Sequence, residues 1–226
     1  MPEPINAQPA SHTPAEPWLA RRAALAPEEL ACIERAVRED LKLPHDAPLS
    51  LADFARVSVL QFTSEPITDA GVAWMASADS PMVAIDALFL DQTYVSDAGM
   101  VALAARDSAL EALEALYLDS TPVTDRCLAA LAARDSPLRS LRVLDLADTK
   151  ITDAGLAALA AKDSAFTALC QLYLYNTHVT DQGMVYMGAK DSPLTALTEI
   201  WANGTKITDE GIAAIREFHP RVLVIL

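Results

Sequence analysis

Hydrophobic and polar positions follow one pattern along most of this chain, and the pattern returns every 28 residues. Leu113, Leu116 and Leu118 are followed by Thr121, Val123, Thr124 and Asp125, giving L-x-x-L-x-L-x-x-T-x-[VI]-[TS]-D. Related copies end at Asp69, Asp97, Asp125, Asp153, Asp181 and Asp209, without slippage over six units. A fixed period of this size predicts a stacked solenoid. The L-x-L core alternates with the period of two expected of a strand, one row of leucines facing inward and the intervening residues facing out. The segment after it, such as Gly155 to Lys162, is made of strong helix formers in a run too long for a strand. Thr152 is placed to cap that helix, and Asp153 falls in its first turn, where the helix dipole favours negative charge. Each unit is therefore expected to be one strand and one helix, closed by the Asp-Ser pairs at 79–80, 107–108, 135–136, 163–164 and 191–192.

This motif resembles the leucine-rich-repeat family over residues 57–226, and its 28-residue unit with a helix in every copy is most similar to the ribonuclease-inhibitor-like branch. The resemblance implies an α/β fold: a right-handed horseshoe solenoid with a parallel concave sheet and convex helices. Where many members carry Asn or Cys at the ninth motif position, this chain has Thr93, Thr121, Thr149, Thr177 and Thr205, with Glu65 in the first copy. A threonine hydroxyl can still bond neighbouring backbone, so the column is expected to be a structural ladder.

Upstream of the repeats the pattern changes. Residues 1–17 hold five prolines and no Lys or Arg, which predicts a disordered arm and not a secretory signal. Residues 18–56 are expected to form a helical cap, with a helix starting at Pro27-Glu28-Glu29, a face of Leu30, Ile33, Val37 and Leu41, and a stop at Pro44. The stretch from Glu28 to Val59 resembles the N-terminal cap of bacterial internalin-type repeat proteins. Leu25-Ala-Pro-Glu-Glu-Leu also resembles the opening of an F-box, which would imply an adaptor of the ubiquitin-ligase type. A cap is physically required, since the first strand would otherwise leave a core edge open to water. After Asp209 the unit shortens, and Val222 to Leu226 reads as a seventh parallel strand with an open edge. A monomer is expected, with a homodimer or a structural, assembly role through that edge as the alternative.

Composition narrows the function. With 226 residues, 52% of them hydrophobic, the chain can bury a sizeable core. Cys32, Cys127 and Cys170 lie far apart, so neither a disulfide framework nor a zinc site is suggested, and Cys127 stands in a column otherwise held by Gly71, Gly99, Gly155, Gly183 and Gly211. The four histidines, at 12, 45, 178 and 219, form no metal-ligand spacing, and no phosphate-binding glycine loop or nucleophile motif occurs. Neither catalysis, nor a cofactor, nor a metal is expected. No apolar run approaches the roughly 18 residues of a membrane span, so a membrane partner is not expected and a cytoplasmic location is, with export by a dedicated secretion machine as the alternative.

The candidate site is the outward row of the sheet. Gln61, Phe89, Tyr117, Asp145, Tyr173 and Trp201 stand between the two core residues of successive L-x-L segments. Two positions on, the column reads Thr63, Asp91, Asp119, Ala147, Tyr175 and Asn203, and Asp148 adds a carboxylate beside it. Four aromatics in a row that must face water form the kind of surface that anchors protein interfaces. Their alternative role is to stack on one another and stiffen the sheet. Asp145 lies between Tyr117 and Tyr173, where a partner's Arg or Lys could meet a carboxylate and two ring faces. The net charge of −14 disfavours nucleic acid and favours a basic protein partner. Such a module could bind a target generally, inhibit a basic toxin or nuclease, or act as an exported bacterial effector or adaptor. Arg106, Arg134, Lys162 and Lys190 share one column beside the repeated Asp and are expected to form a cross-repeat charge ladder.

Overall fold

A computed structural model of the chain describes residues 17–226. Three helices come first: α1 (Pro17–Arg22), α2 (Pro27–Asp40) and α3 (Leu51–Phe54). Strands and helices then alternate as β1 (Val59–Gln61), α4 (Asp69–Ala76), β2 (Ala87–Phe89), α5 (Asp97–Leu103), β3 (Ala115–Tyr117), α6 (Asp125–Leu131), β4 (Val143–Asp145) and α7 (Asp153–Leu159). The series ends with β5 (Gln171–Tyr173), α8 (Asp181–Met187), β6 (Glu199–Trp201), α9 (Asp209–Arg216) and β7 (Leu223–Ile225). The disordered arm expected over 1–17 lies outside the described residues, apart from Pro17 at the start of α1.

The strands form one parallel sheet in chain order, and the 28-residue period sets their register: Leu60, Leu88, Leu116, Leu144, Leu172, Ile200 and Val224 lie side by side. All but Val224 are wholly buried, as are Phe62, Leu90, Leu118, Leu146 and Leu174 two residues on. Helices about 10 Å across cannot stack at the 4.8 Å strand spacing, so the coil curves with strands inside and helices outside. The result is an open horseshoe whose sheet does not close on itself.

Two hydroxyl columns, buried except at Thr205, hold each coil. Thr93, Thr121, Thr149, Thr177 and Thr205 each donate from Oγ1 to the backbone carbonyl three residues back, at 2.6–2.7 Å. Ser80, Ser108, Ser136, Ser164 and Ser192 accept the N–H two residues on, at 3.2–3.4 Å, and shape the turn after the helix. Thr149→Val keeps the shape and removes one such bond, leaving the Leu146 carbonyl without its partner. It is expected to cost about 1 kcal/mol, read as a lower urea midpoint with an unchanged slope.

A second ladder runs between repeats. The helix-capping residues Ser96, Thr124, Thr152, Thr180 and Thr208 donate their backbone N–H, at 2.7–2.8 Å, and their hydroxyl, at 2.6–2.9 Å, to the carboxylates of Asp69, Asp97, Asp125, Asp153 and Asp181 in the preceding repeat. The same carboxylates take the N–H of Gly99, Gly183 and Gly211 at 2.9–3.1 Å. The repeated aspartate therefore does more than face its own helix dipole: it satisfies the free donors of the next helix. It also explains the glycine column, because a Cβ on Gly183 would sit 2.7 Å from Asp153 Oδ1. Cys127 is the tolerated exception to glycine; its N–H, like that of Gly155, goes to the carbonyl three residues back, here Thr124 at 2.9 Å, and burial beside Asp97 pushes its thiol pKa well up, keeping it unreactive.

The cap ends this ladder from the other side. In α2 the inward face is Glu29, Ile33, Ala36 and Val37, while Leu30 and Leu41 are only half-buried. Glu29, 2% exposed, accepts the N–H and hydroxyl of Thr68 and the N–H of Gly71 on one oxygen, at 2.8–2.9 Å. It occupies the place that an aspartate holds in every later unit. Trp18, Phe54 and Trp74 pack their rings 5.9–6.4 Å apart and join the cap to the first repeat helix. Glu65, the exception in the threonine column, pairs with Arg35 and accepts from the Cys32 thiol, so its departure serves the cap.

Candidate functional site

The third residue of each strand points to the inside of the curve, and its neighbours lie in parallel register with it: Gln61, Phe89, Tyr117, Asp145, Tyr173 and Trp201. Phe89 and Tyr117 stack at 4.3 Å between centroids with planes 4° apart, and Tyr173 and Trp201 at 6.0 Å and 10°. Tyr175 leans on the second stack, 6.2 Å from both of its rings. The row is thus two aromatic stacks separated by the strand that carries Asp145. All five rings stay half-buried, so part of each remains at the concave surface.

Asp145 accepts the N–H of Ala147 at 2.9 Å. Burial between the stacks raises its pKa to about 6, and the charges of Asp91, Asp119 and Asp148 add to the rise against that one favourable bond. Asp91 is raised as well, first by burial and then by Asp119; it accepts the Asp119 N–H at 3.0 Å and the Thr63 hydroxyl at 3.4 Å. Burial likewise pushes up the phenols of Tyr117, Tyr173 and Tyr175, each with Asp145 among the nearby charges. The face therefore holds more negative charge than it solvates well, and a cation docking there would relieve the strain on Asp145. Among the described residues no ion pair involves Asp91, Asp119, Asp145 or Asp148.

Residues 138–160 match the family model described as Leucine Rich repeat. That segment is a leucine-rich repeat, and the strand-and-helix unit it marks is the one repeated along the sheet. No curated protein matches it in sequence. Among solved structures it is similar to internalin C2 of Listeria monocytogenes, with 20% identity and a TM-score of 0.55 over 85% of this chain and 81% of that one. The internalin inlF of the same organism matches at 19% identity and a TM-score of 0.51, covering 77% of this chain and 49% of its own. A secreted internalin-like protein of Listeria monocytogenes aligns at 13% identity and a TM-score of 0.51, over 89% of this chain and 65% of that one. At these identities the shared property is the internalin-like repeat fold.

Within this leucine-rich-repeat sheet the expected site residues divide. Phe89, Tyr117, Asp145, Tyr173, Tyr175 and Trp201 come together as one wall, with Asp91 and Asp119 beside it. Asp148 does not join the strand row; it occupies the left-handed turn after the strand, with φ of 51°, and accepts from Asn176 Nδ2 at 3.0 Å. Ser64, Gln92, Ser120, Asn176 and Gly204 hold the same positive-φ position, so part of the choice of Asp there is conformational.

The charge ladder expected of Arg106, Arg134, Lys162 and Lys190 is not formed: all four are exposed, and among the described residues none has an ion-pair partner. Each is adjacent to its Asp in an exposed turn, where water screens the pair and ordering two long side chains has little return. The ion pairs of the cap, such as Arg38 with Glu34, lie elsewhere.

Two wall residues escaped the motif alignment. Gln171 and Glu199 lie two positions before Tyr173 and Trp201 on the same face, where Gln171 Nε2 and Trp201 Nε1 both donate to Glu199 Oε2, at 3.0 and 3.3 Å. The same period of two that located the aromatic column would have found them. No group of three or more His, Cys, Asp and Glu among the described residues is placed to hold a metal, and no helix among them is long and apolar enough to cross a membrane.

Proposed function

We propose that this leucine-rich-repeat protein is a non-catalytic recognition module that holds a basic protein on its concave face. The observation that carries this reading is the row Phe89–Tyr117, Asp145, Tyr173–Trp201: two ring stacks and an unpaired carboxylate on a sheet face that no element of the described chain covers. A self-stacking role accounts for the rings within each stack. It does not account for a half-buried carboxylate between them, which raises the energy of the free protein and is compensated when a cation arrives. The net charge of −14 would steer such a partner over a Debye length of about 8 Å at physiological salt. The free thiols of Cys32, Cys127 and Cys170 suit action in a reducing compartment such as the cytoplasm.

The test replaces Tyr117, Asp145 and Tyr173 together by Ala and compares affinity capture of partners with the intact protein. The partner retained by the intact chain is expected to bind about tenfold more weakly or worse to the variant, and to be released as ionic strength rises. Equal capture by both proteins, with the variant still folded by circular dichroism, would remove the concave face from consideration.

A further inference from the structure

The interruption of the aromatic row is itself a shaped site. Because the planes of Phe89 and Tyr117 lie 4° apart and those of Tyr173 and Trp201 10° apart, each stack runs along the row. Tyr117 at the end of one stack and Tyr173 at the start of the other therefore border the strand between them, which carries Asp145 in register with both. Two strand spacings put these residues about 9.6 Å apart at the backbone. Side chains on the inside of a curved sheet converge, and one planar group contacting both ring faces needs about 7 Å, from two contacts of about 3.5 Å. Asp145 forms the floor; its Oδ1 is engaged by the Ala147 N–H at 2.9 Å, and among the described residues no cation meets the carboxylate.

We infer that this slot binds the guanidinium of a partner's arginine, sandwiched between Tyr117 and Tyr173 and bonded to Asp145. This deepens the concave-face reading and rests on it. Arginine is favoured over lysine on three physical grounds. Its head group is flat and can stack on both rings at once; it is less strongly hydrated than an ammonium and so enters a half-buried slot at lower cost; and its fork of donors can reach a carboxylate below while keeping both faces free. The charge complementarity is local as well as global, since Asp91, Asp119 and Asp148 add their charges around the floor and none of them has an ion-pair partner among the described residues.

Binding is pH-dependent in a defined direction. Asp145 is faced by Tyr117, Asp91 and Asp119 on one side, by Tyr173 and Tyr175 on the other, and by Asp148 from its own turn. No cation is among them, so the guanidinium must meet the ionised carboxylate, and affinity falls as the solution is acidified through pH about 6.

The test titrates methylguanidinium, and separately methylammonium, into the intact protein and follows the Tyr117 and Tyr173 ring resonances. The expected result at about pH 7.5 is saturable millimolar binding of methylguanidinium, about fivefold or more tighter than methylammonium, and weaker at about pH 5. Asp145→Asn should weaken it about tenfold and flatten its pH dependence; Tyr117→Phe should retain it and Tyr117→Leu should not. Equal response to the two cations, or unchanged binding in Asp145→Asn, overturns the arginine slot. If the slot fails while the triple alanine variant still loses its partner, concave recognition stands without it; if methylguanidinium binds as expected while the triple variant keeps its partner, the slot is upheld and the partner-binding face lies elsewhere.

Discussion

Replacing Glu29 by Ala is expected to lower the stability of this protein by about 3 kcal/mol, a large effect for a residue far from the concave face. Three donors converge on Glu29 Oε1: the N–H and hydroxyl of Thr68 and the N–H of Gly71. Two of these are free backbone N–H groups at the start of α4, which have no acceptor within their own helix. Hydrogen bonds to a charged acceptor contribute about 1.5–3 kcal/mol each, but a single oxygen shared by three donors yields less than the sum. Alanine would leave the donors in a site that is 2% exposed at Glu29, too enclosed for free access of water. Glu29→Gln retains an acceptor oxygen and is expected to cost about 1 kcal/mol.

Because a solenoid is stabilised unit by unit, the damage should begin at the cap. Hydrogen exchange of the Thr68 and Gly71 amides should accelerate before that of the β4 and β5 amides, and the urea transition should broaden. If Glu29→Ala unfolds with the same midpoint as the parent chain, the cap is held by the Trp18, Phe54 and Trp74 rings alone and the carboxylate is dispensable.

Asp145→Asn should act in the opposite direction, stabilising the protein by about 2 kcal/mol at neutral pH. The rise from 3.8 to about 6 corresponds to about 3 kcal/mol of differential interaction, reduced here because the group is only half-buried and partly screened. Between those two values the folded chain binds more protons at Asp145 than the unfolded chain does, so stability falls as pH rises through the window. Below pH about 3 both states are protonated and the carboxylic acid carries no penalty; well above about 6 the folded state bears the full cost of the ionised group.

Asparagine is neutral throughout and can keep the bond from the Ala147 N–H. Its gain should therefore be absent at about pH 3 and complete by about pH 7, measured as the difference in urea midpoints across that range. A gain that is independent of pH would mean that Asp145 is costly for its shape and not for its charge. A variant that is more stable yet binds its partner less well would be the usual signature of a group retained for recognition.

How much of this was legible beforehand differs from residue to residue. The leucine columns, the alternation of strand and helix, and the alignment of Phe89, Tyr117, Tyr173 and Trp201 in one row all follow from a spacing that can be read without coordinates. The threonine column was legible because a hydroxyl at a repeated turn has few other uses. Glu29 was legible only as a favourable first-turn acid, since nothing local shows that its partners lie 39 and 42 residues away. From sequence alone the repeated aspartates are dipole partners of their own helices. Their bonds to the next repeat had a signal in the constant Ser or Thr before each Asp and the Gly two residues after it, but that pattern becomes a contact only once one coil is laid against another. The Arg and Lys column shows the reverse error, where adjacency in sequence suggested pairing that solvent makes unprofitable.

The sequence by itself determined the period, the element in each part of the unit and which side chains share a face, because the geometry of a parallel sheet converts equal spacing into lateral register. Only the tertiary structure decided what those side chains do to each other: that the rings divide into two stacks, that Asp145 is half-buried between them with no cation among the described residues, and that a glutamate in the cap completes a ladder of aspartates. The physical reason is that periodicity is a property of the chain, whereas desolvation and hydrogen bonding depend on the offset and approach of neighbouring coils, set by the whole packed stack.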